Sequence, residues 1–239
     1  RNSGNPWTQV YHSEISHLEI QAVANCSISN LKPGLIDYWN FMSNCSVNIL
    51  PGVFAHNVTL TNVDVGNWRF CFYGDSNVSM ENSTLLLLEV FNLSVIHLQS
   101  SACASVGQYG SSVLWIADSA ITELYAYHSS NSWFLNSSCP SFHLYNSSTV
   151  HVSWYLDVHV VDSIDQDVPS ANVTVGFSNS TVVGSLLTDS DGMARFTLVE
   201  KMKNATGTYP VGEYLVVASF LICVNGTSVE MLGNQQVTL

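Results

Sequence analysis

The chain has 239 residues, of which 46% are hydrophobic and 10% are charged, and its formal net charge is −12. This apolar content excludes a disordered tether, and the length allows one large β-domain or two smaller ones. Six Lys and Arg residues cannot supply the basic footprint that nucleic acids or anionic membranes require. We therefore expect no nucleic-acid partner. No apolar run approaches the ~20 residues of a membrane span, so we also expect no transmembrane segment.

Residues 1–23 are predicted to form an N-terminal extension that donates a strand to a neighbouring subunit. Leu18, Ile20 and Ala22 alternate with polar residues, which is typical of a half-buried strand, and no hairpin partner follows. These three residues are the predicted subunit contact, and a head-to-tail contact of this kind grows an open filament. A helical start and donation by the C-terminal residues 237–239 stay open as alternatives. Because the chain begins at Arg1, we interpret it as an exported protein after signal-peptide removal.

Residues 24–155 consist of short β-runs broken by Asn, Asp, Ser and Gly. In one recurring phrase, an Asn or Asp bend is flanked by apolar residues that point inward from two consecutive strands. Its copies are Leu60–Val65 around Asn62, Met80–Leu85 around Asn82, Ile116–Ile121 around Asp118 and, more loosely, Leu144–Val150 around Asn146. Repeats of about 20 to 36 residues that cannot bury their own faces predict stacked coils.

This stretch resembles right-handed parallel β-helices, the solenoids of many surface proteins and polysaccharide-acting enzymes. The resemblance implies a short β-helix-like domain over residues 24–155. An irregular β-sandwich is the alternative.

Residues 156–239 have a different sequence pattern, in which the predicted strands are spaced as in β-hairpins. The dipeptide Asn225-Gly226 predicts a type I′ hairpin turn. Four sequence patterns follow one another in this stretch: V-x-V-x-D, P-x-x-A-x-V-x-V, T-D-x-D-G-x-A-x-F and G-x-Y-x-V. Their order resembles that of the transthyretin-like or carboxypeptidase-regulatory-like modules of prokaryotic surface proteins. The resemblance implies an all-β chain that ends in an immunoglobulin- or transthyretin-like β-sandwich. The switch from Asn-bend repeats to hairpin-spaced strands places the domain boundary near Trp154 to Val160.

Twelve of the 21 asparagines are followed by X-Ser or X-Thr, which is about three times the number expected by chance. They are Asn25, Asn44, Asn57, Asn77, Asn82, Asn92, Asn136, Asn146, Asn172, Asn179, Asn204 and Asn225. Each acceptor must be reached by a transferase and must keep its glycan in water, so we expect a densely N-glycosylated extracellular or cell-surface protein. Asn82 and Asn146 are the expected exceptions, because burial of their side chains is expected at coil bends.

The six cysteines form an even set, and in an exported protein this predicts disulfides. They are Cys26, Cys45, Cys71, Cys103, Cys139 and Cys223. The pair Cys26–Cys45 is favoured, because its separation equals about one turn of the predicted coil. Buried free thiols are the alternative.

Two acidic loops near the middle of the C-terminal half form a calcium candidate. Their carboxylates are Asp162, Asp165, Asp167, Asp189 and Asp191, and Ca²⁺ prefers such oxygen ligands. Asp-Ser-Asp-Gly is also a good turn without any metal. A bend interrupts the evenly spaced His143, His151 and His159, which therefore predict no metal site. No other cofactor is predicted.

The acids of the coil are Glu81, Glu89, Asp118 and Glu123, and they form no recognisable carboxylate pair for a glycosidase. A lyase usually also needs a cation, and Arg69 is the only Arg of the coil. We therefore expect no enzyme activity. The aromatic residues of the coil are candidates for sugar stacking, although such residues more often fill β cores or subunit contacts. They are Trp39, Trp68, Phe70, Phe72, Tyr73, Trp115, Tyr125, Tyr127, Trp133, Trp154 and Tyr155.

These features together resemble prokaryotic, archaeal-type extracellular surface and filament proteins. The predicted function is that of a structural subunit of a heavily N-glycosylated filament, pilus or surface layer, homo-oligomeric and assembled by strand addition. A glycan-binding adhesin and a carbohydrate-active enzyme are the alternatives from other classes.

Overall fold

The computed structural model describes the backbone of residues 8–11, 17–20, 23–24, 26–29, 35–39, 42–48, 50–54, 57–74 and 76–239, and the side chains of residues 71–72, 74 and 76–239. This part of the chain contains strands and turns and no helix, so the predicted all-β fold class is confirmed. The strands are β1 (Thr8–Tyr11), β2 (His17–Ile20), β3 (Val23–Ala24), β4 (Cys26–Ser29), β5 (Leu35–Trp39), β6 (Met42–Asn48), β7 (Leu50–Phe54), β8 (Asn57–Tyr73), β9 (Asn77–Glu81), β10 (Thr84–Val90), β11 (Val95–Gln99), β12 (Ala102–Gln108), β13 (Val113–Ala117), β14 (Ala120–Ala126), β15 (Asn131–Leu135), β16 (Ser141–Leu144), β17 (Thr149–His159), β18 (Asn172–Gly176), β19 (Val182–Leu187), β20 (Met193–Asn204), β21 (Gly207–Pro210), β22 (Glu213–Phe220), β23 (Cys223–Glu230) and β24 (Gln235–Thr238).

The chain divides into two compact units, one of residues 1–150 with 203–207 and the other of residues 151–202 with 208–239. The division lies inside strand β17, so no linker separates the units. The sequence places the boundary slightly later, near Trp154 to Val160.

Strands β9 to β16 form a β-solenoid in which each coil contributes two short strands. Strands β9, β11, β13 and β15 make one parallel sheet, and β10, β12, β14 and β16 make the other. Equivalent residues are 18 apart in both sheets, as in Leu85↔Cys103 and Ile96↔Leu114. The period is therefore shorter and more regular than the 20 to 36 residues that the sequence phrases suggest.

Three of the four predicted bends are present, and the fourth, at Asn62, lies within strand β8. Asn82 and Asp118 both have φ of 49°, and Asn146 has φ of 57°, in the left-handed region that Asn and Asp tolerate. The flanking residues Met80 and Ile116 are buried, as predicted for apolar residues that point inward from both sides of a bend. By register Asn62 occupies the same position one coil earlier, between Thr61↔Glu81 and Asp64↔Thr84.

The second unit contains a four-stranded antiparallel sheet in the order β19-β18-β22-β23 and a parallel pair of β17 with β24. Alternate residues of β17, β18, β20 and β22 are buried in one core, among them Val158, Val173, Phe196 and Tyr214. The arrangement is consistent with the predicted sandwich after the β-helix.

The predicted Asn225-Gly226 hairpin turn is wrong. Both residues lie inside β23, opposite Ala218 and Val217, and the turn is made by Leu221 and Ile222. Eight residue pairs join β22 to β23 in this register, and they place Tyr214 beside Val229 in the core. Tertiary burial therefore outweighs the local preference of Asn-Gly for a tight turn.

The predicted N-terminal donor strand is already paired within its own chain. Strand β2 lies parallel to β5, with His17 opposite Leu35 and Ile20 opposite Trp39. The alternative donor at the C-terminus is also engaged, because β24 pairs with β17. Leu18 and Ile20 therefore belong to an internal sheet, and Ala22 lies outside the described residues.

Candidate functional site

The side chains that the sequence marks for function are concentrated along the edges and outer faces of the solenoid. Each coil has two bends at fixed positions, and we name the two series by their residues. Turn column A consists of Asn82, Ser100, Asp118 and Asn136, all with φ between 45° and 51°. Turn column B consists of Asn92, Gly110, His128 and Asn146, all with φ between 57° and 75°. In column B a Cβ on Gly110 would lie 2.9 Å from the Asn92 Cα, which explains glycine on that rung.

Column A is held by a ladder of buried serine hydroxyls placed one residue after each bend. The Ser83 N–H donates to Ser101 Oγ at 3.1 Å, the Ser101 N–H to Ser119 Oγ at 3.0 Å and the Ser119 N–H to Ser137 Oγ at 3.0 Å. Each hydroxyl also donates to the carbonyl two residues before it, as Ser119 does to Ala117 at 2.6 Å. Ser101, Ser119 and Ser137 thus each satisfy a buried backbone donor of the rung before.

Column B is followed by a second serine series, placed two residues after each bend. Ser94, Ser112, Ser130 and Ser148 are all fully buried. Ser148 Oγ accepts from the Tyr145 N–H at 3.1 Å, and Ser94 Oγ donates to the Gly74 carbonyl at 3.4 Å.

The candidate acceptors of the solenoid lie on its turns and on one outer strand face. Asn77, Asn82, Asn92 and Asn146 are exposed, and Asn136 is half-buried with Nδ2 donating to Asp118 Oδ1 at 2.6 Å. Asn82 and Asn146 lie at bends as predicted, but the expected burial of their side chains is wrong, because the bends point them away from the core.

The remaining described acceptors lie at turns or on outer strand faces. Asn172, Asn179 and Asn225 are exposed. Asn204 is half-buried and its Oδ1 accepts from the Thr206 N–H at 2.9 Å. Asn25 and the side chains of Asn44 and Asn57 lie outside the described residues.

Aromatic rings stack in ladders along the solenoid. Phe91, Tyr109, Tyr127 and Tyr145 follow one another with centroid separations of 4.7, 5.1 and 4.7 Å and interplanar angles of 8° or less. On the sheet of β11, β13 and β15, Trp115 stacks on Trp133 at 5.2 Å and on His97 at 6.3 Å. On the other sheet, Tyr125 of β14 stacks on His143 of β16 at 4.4 Å.

A stacked ladder covers the faces of its rings. A sugar binds an aromatic residue through the ring face, whereas the inner rungs of these ladders expose edges. Trp115, which is 43% exposed, has a ring on each side. The ladders are therefore contacts between coils.

The predicted disulfides are not formed by the cysteines whose side chains are described in the later part of the chain. Cys103, Cys139 and Cys223 are free thiols, and Cys71 Sγ donates to Glu89 Oε2 at 3.3 Å. By register Cys103 and Cys139 occupy one inward position two rungs apart, about 9.6 Å and beyond the roughly 7 Å that a disulfide can bridge. Burial raises the pKa of Cys103 to about 12 and that of Cys139 to about 11.

The favoured pair Cys26–Cys45 stays a prediction. Strands β4 and β6 are parallel neighbours with Ser27 opposite Ser46, so the register places the two cysteines at the same level. Adjacent strands are about 4.8 Å apart, which is within the Cα separation that a disulfide spans. Their side chains lie outside those described.

The carboxylates of the calcium candidate have other roles. Asp162 Oδ1 accepts from the Ile164 and Gln166 N–H groups, and Asp189 Oδ1 accepts from those of Asp191 and Met193. Asp167 Oδ1 lies 2.7 Å from His159 Nε2. No three His, Cys, Asp or Glu side chains within the described residues are placed to hold a metal ion. Asp-Ser-Asp-Gly thus acts as a turn, through Asx-type hydrogen bonds.

The acids of the solenoid contact different neighbours. Glu89 is buried beside the Cys71 thiol, Glu123 accepts from the Tyr125 hydroxyl at 3.0 Å, and Asp118 lies in turn column A. Hydrogen bonding to Glu123 raises the pKa of Tyr125, and burial lowers that of His151. None of these contacts forms the paired carboxylates of a glycosidase.

The features that sequence reasoning missed are the two serine series and the aromatic ladders. Their signal is an 18-residue spacing, visible in Ser83, Ser101, Ser119 and Ser137 and in Tyr109, Tyr127 and Tyr145. A search for apolar phrases passes over it, because serine is common throughout the chain.

No protein-family model matches this chain, and no curated protein matches it. A solved structure titled "The Bacillus anthracis TIE protein" aligns with 42% of this chain at 19% sequence identity and a TM-score of 0.30. The alignment covers 18% of that protein, so the present chain matches less than a fifth of its length. Within the described residues, no helix has the length and apolar character needed to cross a membrane.

Proposed function

We propose that this protein is a structural subunit of an N-glycosylated extracellular filament, pilus or surface layer, without enzyme activity of its own. The observation that carries the proposal is the mutual stacking of the recurring side chains. Tyr127 lies between two tyrosines, and Ser119 bonds to the rungs on both sides. Side chains that contact the neighbouring coil stabilise a stacked scaffold. Exposed acceptor asparagines at its turns are compatible with a surface that carries glycans.

The two alternative functions have less support. A glycan-binding adhesin needs open ring faces, and the ladders offer edges on their inner rungs. An enzyme needs catalytic groups that converge on one cleft, and Glu89, Asp118 and Glu123 are each bonded to a different neighbour.

Assembly by strand addition is proposed to use an edge of the four-stranded sheet. Within the part of the chain that the structure describes, strand β19 is paired only with β18, and it carries no charge and exposes Val182, Leu186 and Leu187. Such an edge invites a strand from another chain, although the bulge opposite Val175 and Gly176 leaves only its second half straight. This second half is the proposed acceptor.

Electron microscopy of material sheared from the producing cells, labelled with an antibody against this chain, tests the proposal. We expect the antibody to decorate filaments or a regular surface layer. Dispersed single particles would contradict it. Binding on a glycan array would favour the adhesin instead, and release of reducing sugar from polysaccharides would favour the enzyme.

A further inference from the structure

We infer that the acceptor motifs at the solenoid turns are of two kinds: Asn82 and Asn136 carry N-glycans, whereas Asn92 and Asn146 are turn residues that stay unmodified. The inference rests on the proposed function, in which the chain is exported and is a substrate of an N-glycosylating transferase. The four motifs look alike in the sequence, and their places in the fold separate them.

The modification itself requires the third residue of the motif. The asparagine Nδ2 bonds to the anomeric carbon of a polyprenyl-diphosphate-linked oligosaccharide. The bond between that carbon and the diphosphate oxygen breaks, the lipid diphosphate leaves and Nδ2 loses one proton. Since the acceptor pattern demands Ser or Thr two residues after Asn, the transferase must reach that hydroxyl as well as the amide.

In turn column B the serine that carries this hydroxyl is a buried part of the turn. A serine stands two residues after the bend on all four rungs, as Ser94, Ser112, Ser130 and Ser148, although the bend residue is Gly110 or His128 on two of them. All four serines are fully buried. The Asn-X-Ser patterns at Asn92 and Asn146 thus arise wherever the turn uses asparagine, and a transferase cannot reach the serine once the coil has closed.

Turn column A shows the opposite pattern. The residues two after the bend are Thr84, Ala102, Ala120 and Ser138, and all are exposed. A hydroxyl occurs only on the two rungs where the bend residue is asparagine, and alanine occupies the same place where it is Ser100 or Asp118. The fold therefore does not need this hydroxyl, and glycosylation explains its presence beside Asn82 and Asn136.

The asparagines of column A are also placed to carry a glycan. Asn82 is exposed, and Asn136 is half-buried with its amide beside Asp118. A glycosylated amide keeps one N–H, which can maintain the bond from Asn136 Nδ2 to Asp118 Oδ1.

Incubation of the purified, folded and unglycosylated full chain with a single-subunit eukaryotic oligosaccharyltransferase and its lipid-linked oligosaccharide tests the inference, because the coils are then closed before the transferase acts. Peptide N-glycosidase in ¹⁸O-water converts each occupied asparagine to a labelled aspartate that mass spectrometry locates. We expect label at positions 82 and 136 and none at 92 and 146. Thr84→Ala and Ser138→Ala should each remove one glycan without lowering the melting temperature of deglycosylated protein, because alanine is native at that place in the intervening coils.

Asn92→Gln and Asn146→Gln are the matched controls and should leave the intact mass of the glycoprotein unchanged apart from the substitution. Label at 92 or 146 to the extent seen at 82, or no label at 82 and 136 while other acceptors are occupied, would overturn the inference. A chain without glycan at any acceptor would instead contradict the glycosylated surface that the proposed function assumes.

Discussion

Ser119 has two hydrogen-bond roles in one hydroxyl. Its Oγ accepts from the Ser101 N–H and donates to the Ala117 carbonyl. Ser119→Ala leaves a buried backbone donor without its acceptor, which costs about 1–3 kcal/mol of unfolding free energy. Urea denaturation followed by circular dichroism measures the loss. The exposed Ser129 is the control, and a Ser129→Ala variant that loses as much stability would contradict the ladder role.

The cysteines provide a test that depends on pH. Burial raises the pKa of Cys103 from 9.0 to about 12, so its reactive thiolate is absent at pH 9, whereas Cys223 is exposed. Iodoacetamide at pH 9 should alkylate Cys223 in the native protein and Cys103 only after unfolding, as read by peptide mass spectrometry. Native alkylation of both at similar rates would show that the solenoid core is open.

The same shift has a defined sign for stability. The unfolded chain loses the Cys103 proton near pH 9, while the folded chain keeps it until about pH 12. The contribution of this group to stability is therefore present below pH 9 and is lost as the pH rises from 9 towards 12. Cys103→Ser should flatten that part of the profile of melting temperature against pH.

Single residues were partly predictable. Asn82, Asp118 and Asn146 were identified as bends because few residue types tolerate positive φ. Ser100 was missed at an equivalent bend, since serine has no strong preference for that conformation. The orientation of Asn82 towards solvent was also missed, because it depends on the direction in which the coil turns.

The tyrosine ladder gives a test of packing between coils. Tyr127 has a ring on each side, and Tyr145 stacks on one described ring. Each stacked pair contributes about 0.5–1.5 kcal/mol beyond its buried area, so Tyr127→Ala should lower the unfolding free energy by roughly twice as much as Tyr145→Ala. Chemical denaturation of both variants measures the ratio. Equal losses would contradict a contribution of ring stacking to stability.

Strand positions followed from apolar runs, but strand pairing did not. The Asn225-Gly226 turn is a local preference, and the pairing of Tyr214 with Val229 depends on a core that includes Val173 and Phe196. The coil period was overestimated for a similar reason. The apolar phrases around Asn82 and Asp118 are two coils apart, and the copy around Ser100 between them contains no Asn or Asp.

At the level of the assembled protein, the open edge of β19 predicts where a charge should interfere. Leu187 is 65% exposed on this edge, and Leu215 is 44% exposed on β22, which lies between two strands of the same sheet. Leu187→Lys should abolish or strongly reduce filament formation, because lysine on an edge blocks strand addition. Leu215→Lys should leave it intact. Sedimentation and electron microscopy compare filament formation by the two variants. A larger loss of filaments with Leu215→Lys than with Leu187→Lys would exclude this edge as the contact.

The division into a coiled N-terminal part and a sandwich-like C-terminal part could be predicted, because Asn bends and hairpin spacing leave different patterns in the sequence. The partner of the N-terminal strand could not. The alternation of Leu18 and Ile20 predicts a half-buried strand, but it does not say which strand lies beside it, and β5 of the same chain is the one that pairs.

Paired residues of neighbouring coils are always 18 positions apart, so one coil can take the place of another. Removing residues 110–127 joins Tyr109 to His128 and places every bend, serine and ring of the following coil where the lost coil had its own. Such a shortened chain should still fold, whereas removing about a quarter as many residues would bring each bend against a strand. A protein of this design can lengthen or shorten by duplication or loss of a whole coil.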